Sequence, residues 1–119
     1  TLIILQSDEF HQQMARYVKA NMPDAIILIE DHIPYKQHPY LCTIGKAGIM
    51  IEVGPQPQNV LRPAAYLQTE EMTKLVITFC DLWNKQTLGE LDVVEAFRLT
   101  EEVYFPLCSA GKKLAMIHP

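Results

Sequence analysis

Glu52 is the residue best placed to do chemistry. It closes the run Ile49-Met50-Ile51-Glu52-Val53-Gly54 as a single carboxylate after three apolar residues. Such a run reads as a strand, and open α/β sheets gather their ligands at the carboxyl ends of strands. Burial there would raise the pKa of Glu52. A carboxylate so tuned takes a proton from water and returns it to a leaving amine, which is general acid–base work at neutral pH. By position alone, a glutamate that reaches solvent or pairs with a lysine fits as well.

The remaining reactive residues form weaker patterns. His32 and His38 share a segment with Pro34 and Pro39 but lack paired metal-ligand spacing, and His11 and His118 stand apart, so no independent zinc site is expected in the chain. A nucleophilic cysteine needs a positioned base and a lowered pKa. Cys42 lies four residues from His38, and Cys80 falls beside an apolar stripe, where a core thiol is the simpler reading. Arg62 follows the Glu52 segment and has the fork geometry to grip a carboxylate, although a solvated residue at a helix start is the simpler reading.

The elements that must position these residues alternate strand and helix. Leu2 to Leu5 is a short continuous apolar run, as in a strand buried on both faces. Ser7 is expected to cap a helix carrying Asp8 and Glu9 in its first turn and Phe10, Met14, Tyr17 and Val18 on its apolar face. Pro23 ends that helix, and Ala25 to Ile29 predicts a second strand parallel to the first. Residues 30–43 hold two prolines and two histidines and read as a surface loop of functional length. Ile44 to Val53 predicts the strand that ends at Glu52. Pro63 suits a first helical position, and Met72, Leu75, Val76, Phe79, Leu82 and Trp83 predict one long amphipathic helix over the sheet. Leu91 to Leu99 suggests a half-exposed strand with Val93, Phe97 and Leu99 on one side, and Leu114 to Ile117 a last strand.

Composition excludes other classes. The chain has 119 residues, a formal charge of −4 and a pI near 5.5, with no basic cluster to meet a polyphosphate or an anionic membrane. Its three cysteines form no CxxC pair, as suits a reducing, cytoplasmic compartment. No apolar run approaches the ~20 residues of a membrane span. The chain opens without Met on one apolar run and closes on another, so both ends read as cut, whereas domain ends usually fray into polar residues.

The segment Ile51-Glu52-Val53-Gly54-Pro55-Gln56-Pro57-Gln58, continuing through Val60-Leu61-Arg62, resembles the glutamate motif of the aspartoacylase and succinylglutamate desuccinylase family, nearer to its aspartoacylase branch. Thr1 to Leu5 is similar to the family segment just after its last zinc-binding histidine, and Ala115 to Pro119 to the segment entering its C-terminal domain. The resemblance implies a carboxypeptidase-like, three-layer α/β fold with a mainly parallel or mixed sheet covered by helices and one catalytic zinc. Glu52 would then be general acid–base on zinc-bound water, acting on the amide of an N-acyl amino acid such as N-acetylaspartate. The family's zinc ligands, a His-x-x-Glu pair and a later His, fall ahead of Thr1, so this chain contributes no metal ligand. The family also grips its acidic substrate with a Tyr and an Arg from the loop before the glutamate strand. Ungapped alignment puts His38 and Cys42 at those places, leaving Tyr40 to supply the hydroxyl or merely to pack on the loop.

The resulting expectation is that residues 1–119 form a single unit, the C-terminal part of a catalytic domain ending where a C-terminal domain begins. The whole protein is a zinc amidohydrolase for a small-molecule N-acyl amino acid, with no nucleic acid or membrane partner and with self-association left open. Catalysis falls to Glu52 and substrate binding to Tyr40 and Arg62, while the 119 residues alone are inactive. Two alternatives stand beside it: a non-catalytic interaction module built on a carboxypeptidase-like half-sheet, and a succinylglutamate desuccinylase-like hydrolase.

Overall fold

The structure, a computed structural model, describes residues 1–104 together with Pro106, Leu107 and Gly111. Cys108, His118 and the strand expected over 114–117 lie outside the described residues. Strand β1 (Leu2–Ile4) leads to helix α1 (Glu9–Asn21), then β2 (Ile27–Ile29), β3 (Ile49–Ile51), helix α2 (Pro63–Lys85) and β4 (Phe97–Arg98). The strands form one mixed sheet in the order β3-β1-β2-β4. β1 runs parallel to β2, as the strand–helix–strand pattern requires, and β2 runs parallel to β4, whereas β3 is antiparallel to β1.

Strand β1 sits at the centre because it is apolar at every position. Leu2, Ile3, Ile4 and Leu5 are all nearly inaccessible to solvent, the state expected of a strand covered on both faces. Leu2, Ile4 and Ile27 share a core with Met14, Ala15 and Val18 of α1 and Met72 and Phe79 of α2. Both helices therefore pack on the Leu2–Ile4 face. Phe79 is fully buried, with the rings of Phe10, Tyr17 and Trp83 at centroid distances of 5.4, 5.9 and 5.8 Å, a separation typical of favourable aromatic contact. The long amphipathic helix forms as expected, with Pro63 at its start and Gln86 in the left-handed conformation at its end, donating its backbone N–H back to the last turn. Among the described residues no helix is long and apolar enough to cross a membrane.

Three local expectations are revised. The α1 cap is Asp8, whose carboxylate accepts the His11 backbone N–H at 3.0 Å, while the Ser7 hydroxyl donates to Asp31. Asp and Ser cap comparably well, and Asp8 is the one that also meets the His11 ring. The strand expected from Ile44 starts only at Ile49. Residues Leu41–Ile44 wind into a 3-10 turn, and the chain folds back so tightly that a Cβ on Gly48 would lie 2.7 Å from the Tyr35 Oη. Of the expected strand at 91–99, only Phe97–Arg98 joins the ladder. Val93 and Phe97 are exposed, and among the described residues β4 is an edge strand of the sheet.

Candidate functional site

Glu52 follows the last residue of β3 and pairs with Thr1 at the end of the β1–β3 ladder. The Glu52 N–H donates to the Thr1 carbonyl at 3.0 Å, and the Thr1 nitrogen donates to the Glu52 carbonyl at 2.7 Å. The carboxyl end of β3 is confirmed as its address, but the antiparallel direction of β3 changes which edge of the sheet that is. Leu2 stands opposite Ile51 and Ile4 opposite Ile49, so Glu52 lies at the edge where the parallel strands β1 and β2 begin, not where they end. The residue is exposed rather than buried.

The loop between β2 and β3 comes back to meet it. In the sheet register Met50 pairs with Ile3 and Ile3 with Leu28, which puts these three on the face opposite α1 and α2. An open cleft of about 630 Å³ forms on that face between Tyr40, Leu41 and Cys42 of the loop and Met50, Ile51 and Glu52 of β3. The loop holds its own shape. The Tyr35 hydroxyl donates to the Cys42 carbonyl at 2.7 Å, and Thr43 Oγ1 donates to the Tyr40 carbonyl at 2.7 Å. Lys36 Nζ reaches the carbonyls of Thr43 and Gly45 at 2.7 and 2.5 Å. Backbone groups that a loop leaves without ladder partners are satisfied by its own side chains.

Tyr40 is the centre of this arrangement. Its hydroxyl donates to Glu30 Oε2 at 3.2 Å, and its ring stacks on His38 at 5.6 Å with an 18° tilt. His38 is 4% exposed with its Nε2 unpartnered, and His32 meets it edge-on at 5.5 Å. The His32 Nε2 lies 3.8 Å from a Glu102 oxygen, and the other Glu102 oxygen accepts from the Tyr104 hydroxyl. Burial pushes the Tyr40 phenol above its ordinary range. The adjacent Glu30 carboxylate, by its charge and its hydrogen bond, and the charges of Glu102 and Glu52 push it further, so the hydroxyl remains a proton donor throughout the neutral range.

Of the residues picked out by sequence, Glu52, Tyr40 and Cys42 come together in one cleft. Arg62 does not join them. It occupies the cap position before α2, donates from Nη1 to the Pro55 carbonyl at 2.7 Å, and faces a separate hollow with Gln56 and Tyr66. Cys42 and Cys80 are free thiols. Cys80 packs against the core, and burial raises its pKa, which suits a structural thiol better than a nucleophile. Sequence reading missed Glu30 and Glu102. Glu30 was legible in principle, since it directly follows β2 at the carboxyl edge of the parallel strands. Glu102 arrives only because β4 pairs with β2 across nearly seventy residues of chain. Among the described residues no three His, Cys, Asp or Glu side chains are grouped to hold a metal ion.

No protein-family model matches the chain, but curated relatives match it along essentially its whole length. They first define a class, enzymes of N-acyl amino acid hydrolysis. An N-acyl-aromatic-L-amino acid amidohydrolase (carboxylate-forming) from Xenopus laevis is 30% identical across 99% of this chain and 40% of its own length. Within that class, aspartoacylases from Danio rerio and Rattus norvegicus are each 32% identical across 100% of this chain, and across 38% and 39% of their own lengths. The resemblance to aspartoacylase read from the glutamate motif thus holds from one end of the chain to the other. The chain spans about two fifths of the length of the curated relatives it matches.

Proposed function

We propose that the protein carrying this chain is a zinc-dependent, cytoplasmic amidohydrolase that removes the acyl group from an N-acyl amino acid such as N-acetylaspartate, with Glu52 as its general acid–base. In this reading the 119 residues are one unit, the later part of a carboxypeptidase-like catalytic domain. The observation that carries it is the pairing of Glu52 with Thr1. The resemblance puts the last zinc-binding histidine just ahead of the segment that begins at Thr1, so a chain entering β1 arrives beside Glu52.

Zinc, when bound, would polarise the amide carbonyl and the attacking water. Among the described residues no three His, Cys, Asp or Glu side chains are grouped to hold it, and in this reading Glu52's part is proton transfer. As the water oxygen bonds to the acyl carbon, Glu52 accepts a proton. As the carbon–nitrogen bond breaks, that proton passes to the departing amine, leaving a carboxylate and a free amino acid. Exposure at the cleft keeps Glu52 within reach of a substrate. Tyr40 offers a protonated hydroxyl on the same cleft for the substrate's polar atoms, at the cost of its bond to Glu30. Arg62, tied to Pro55, braces the motif turn and would contact substrate only by leaving that carbonyl.

The test is Glu52→Gln in the whole protein. Turnover is expected to fall by about 10²–10⁴-fold with zinc content and circular dichroism unchanged. Turnover near that of the parent would reject the role.

A further inference from the structure

Tyr40 is held at three points. Its hydroxyl donates to Glu30 Oε2 at 3.2 Å, and its ring stacks on the buried His38. The Thr43 hydroxyl reaches the carbonyls of both His38 and Tyr40, at 3.3 and 2.7 Å, and ties the two backbones together. Glu30 is mounted on the sheet, where its backbone N–H donates to the Ile4 carbonyl at 2.9 Å at the end of the β1–β2 ladder. A loop tyrosine is thus tied to a strand through one carboxylate. A phenol carries one proton and two lone pairs, whereas a carboxylate only accepts. With its proton committed to Glu30, the Tyr40 oxygen has lone pairs left to present. Tyr40 lines the same cleft as Glu52, whose charge acts on the hydroxyl. Donating to a substrate would break the bond to Glu30; accepting from one would not.

We infer that Glu30 is a positioning residue: by holding the Tyr40 proton it aims a lone pair of that hydroxyl into the cleft, where it accepts a hydrogen bond from the N–H of the scissile amide. The inference rests on the deacylase reading above and deepens it. Once water has added to the acyl carbon, the amide nitrogen carries one hydrogen and a free lone pair. Anchoring the hydrogen on Tyr40 lets that lone pair turn to Glu52, which delivers its proton as the carbon–nitrogen bond breaks. Of the two hydrogens on the departing amine, one was the amide's own and the other comes from Glu52. No proton passes through Tyr40.

The experiment compares amides with their ester isosteres, in which oxygen replaces the N–H. It measures kcat/KM of the whole, zinc-loaded protein on N-acetyl-L-aspartate and N-acetyl-L-phenylalanine and on the O-acetyl esters of L-malate and L-phenyllactate. Tyr40→Phe, which keeps the ring on His38, is expected to lower the amide values by about three- to ten-fold, the worth of one hydrogen bond, and to leave the ester values within about two-fold. Glu30→Met, similar in length but without the carboxylate, is expected to produce the same amide-selective loss. Glu30→Gln is expected to keep part of the amide activity through its own carbonyl oxygen, and Glu30→Met combined with Tyr40→Phe to lose no more than either alone. Should Glu30→Met fail to fold by circular dichroism, Glu30→Ala takes its place. Equal loss on amides and esters, no loss from Tyr40→Phe, or additive losses in the double variant overturns the inference and leaves the deacylase reading standing. Hydrolysis of neither amide by the parent protein overturns the deacylase reading itself, and the inference falls with it.

Discussion

Asp8 does two jobs with one carboxylate. Its Oδ1 accepts the His11 backbone N–H at 3.0 Å and lies 2.6 Å from the His11 Nδ1, so it caps α1 and also partners a ring that is 1% exposed. Partial burial pushes its pKa up, but the His11 backbone N–H, the His11 ring and the Phe10 backbone N–H outweigh that and leave it below the usual carboxylate range. A carboxyl whose pKa is depressed by folding contributes stability that is complete above its unfolded pKa and disappears as pH falls through the folded value. Asp8→Ala should therefore cost about 1 kcal/mol at neutral pH, the ordinary value of an N-cap. The deficit should shrink as both proteins are acidified below pH ~4. Solvent around the half-exposed side chain keeps the charge-dependent part of this effect small. Urea titrations of both proteins at neutral and acid pH check it, and a deficit that grows on acidification would contradict the assignment.

At the scale of elements, α2 fixes the sheet in place and the β2–β3 loop decides what the sheet presents. The stripe of α2 closes over β1 through Met72 and Phe79. Phe79 has no exposed surface and three aromatic neighbours. Phe79→Ala should cost about 3–5 kcal/mol, read as a lowered denaturation midpoint; a loss below about 1 kcal/mol would mean that the helix is not docked as described. The loop is held differently, by polar bonds from Tyr35, Lys36 and Thr43 to its own carbonyls. This explains why a segment with two prolines and scarcely any regular ladder still delivers Tyr40 and Cys42 to a defined place beside Glu52.

For the molecule as a whole, the proposed zinc chemistry stands or falls on a metal measurement. The described residues bring Glu52 to a cleft but group no three metal-binding side chains, and the chain spans about two fifths of its relatives' length. The expected outcome is that the purified 119-residue chain retains no stoichiometric zinc and hydrolyses no N-acyl amino acid, while the whole protein binds about one zinc per chain and loses its turnover to a chelator. Metal analysis by atomic absorption, with assays before and after chelation, measures both. One tightly held zinc on the isolated chain would place a metal site among residues that the present reading leaves out.

The sequence by itself determined what depends on local pattern and on motif. The β1–α1–β2 order follows from a short apolar run, a helical stripe and a second run. The start of α2 follows from Pro63, and the candidate carboxylate from a single glutamate at the end of a strand within an eight-residue motif. Only the tertiary structure decided what depends on pairing direction and on distant neighbours. Strand β3 runs antiparallel to β1, a choice its apolar residues could not encode, and that choice puts Glu52 beside Thr1 at the opposite edge of the sheet and leaves it exposed. Cys42 shares the Glu52 cleft because the loop folds back at Gly48, where only a residue without a side chain fits. Glu102 stands near Tyr40 because β4 completes the sheet next to β2. Hydrophobic periodicity reports which face of an element is buried, but it is blind to which strand lies alongside, and here strand neighbours are what assemble the site.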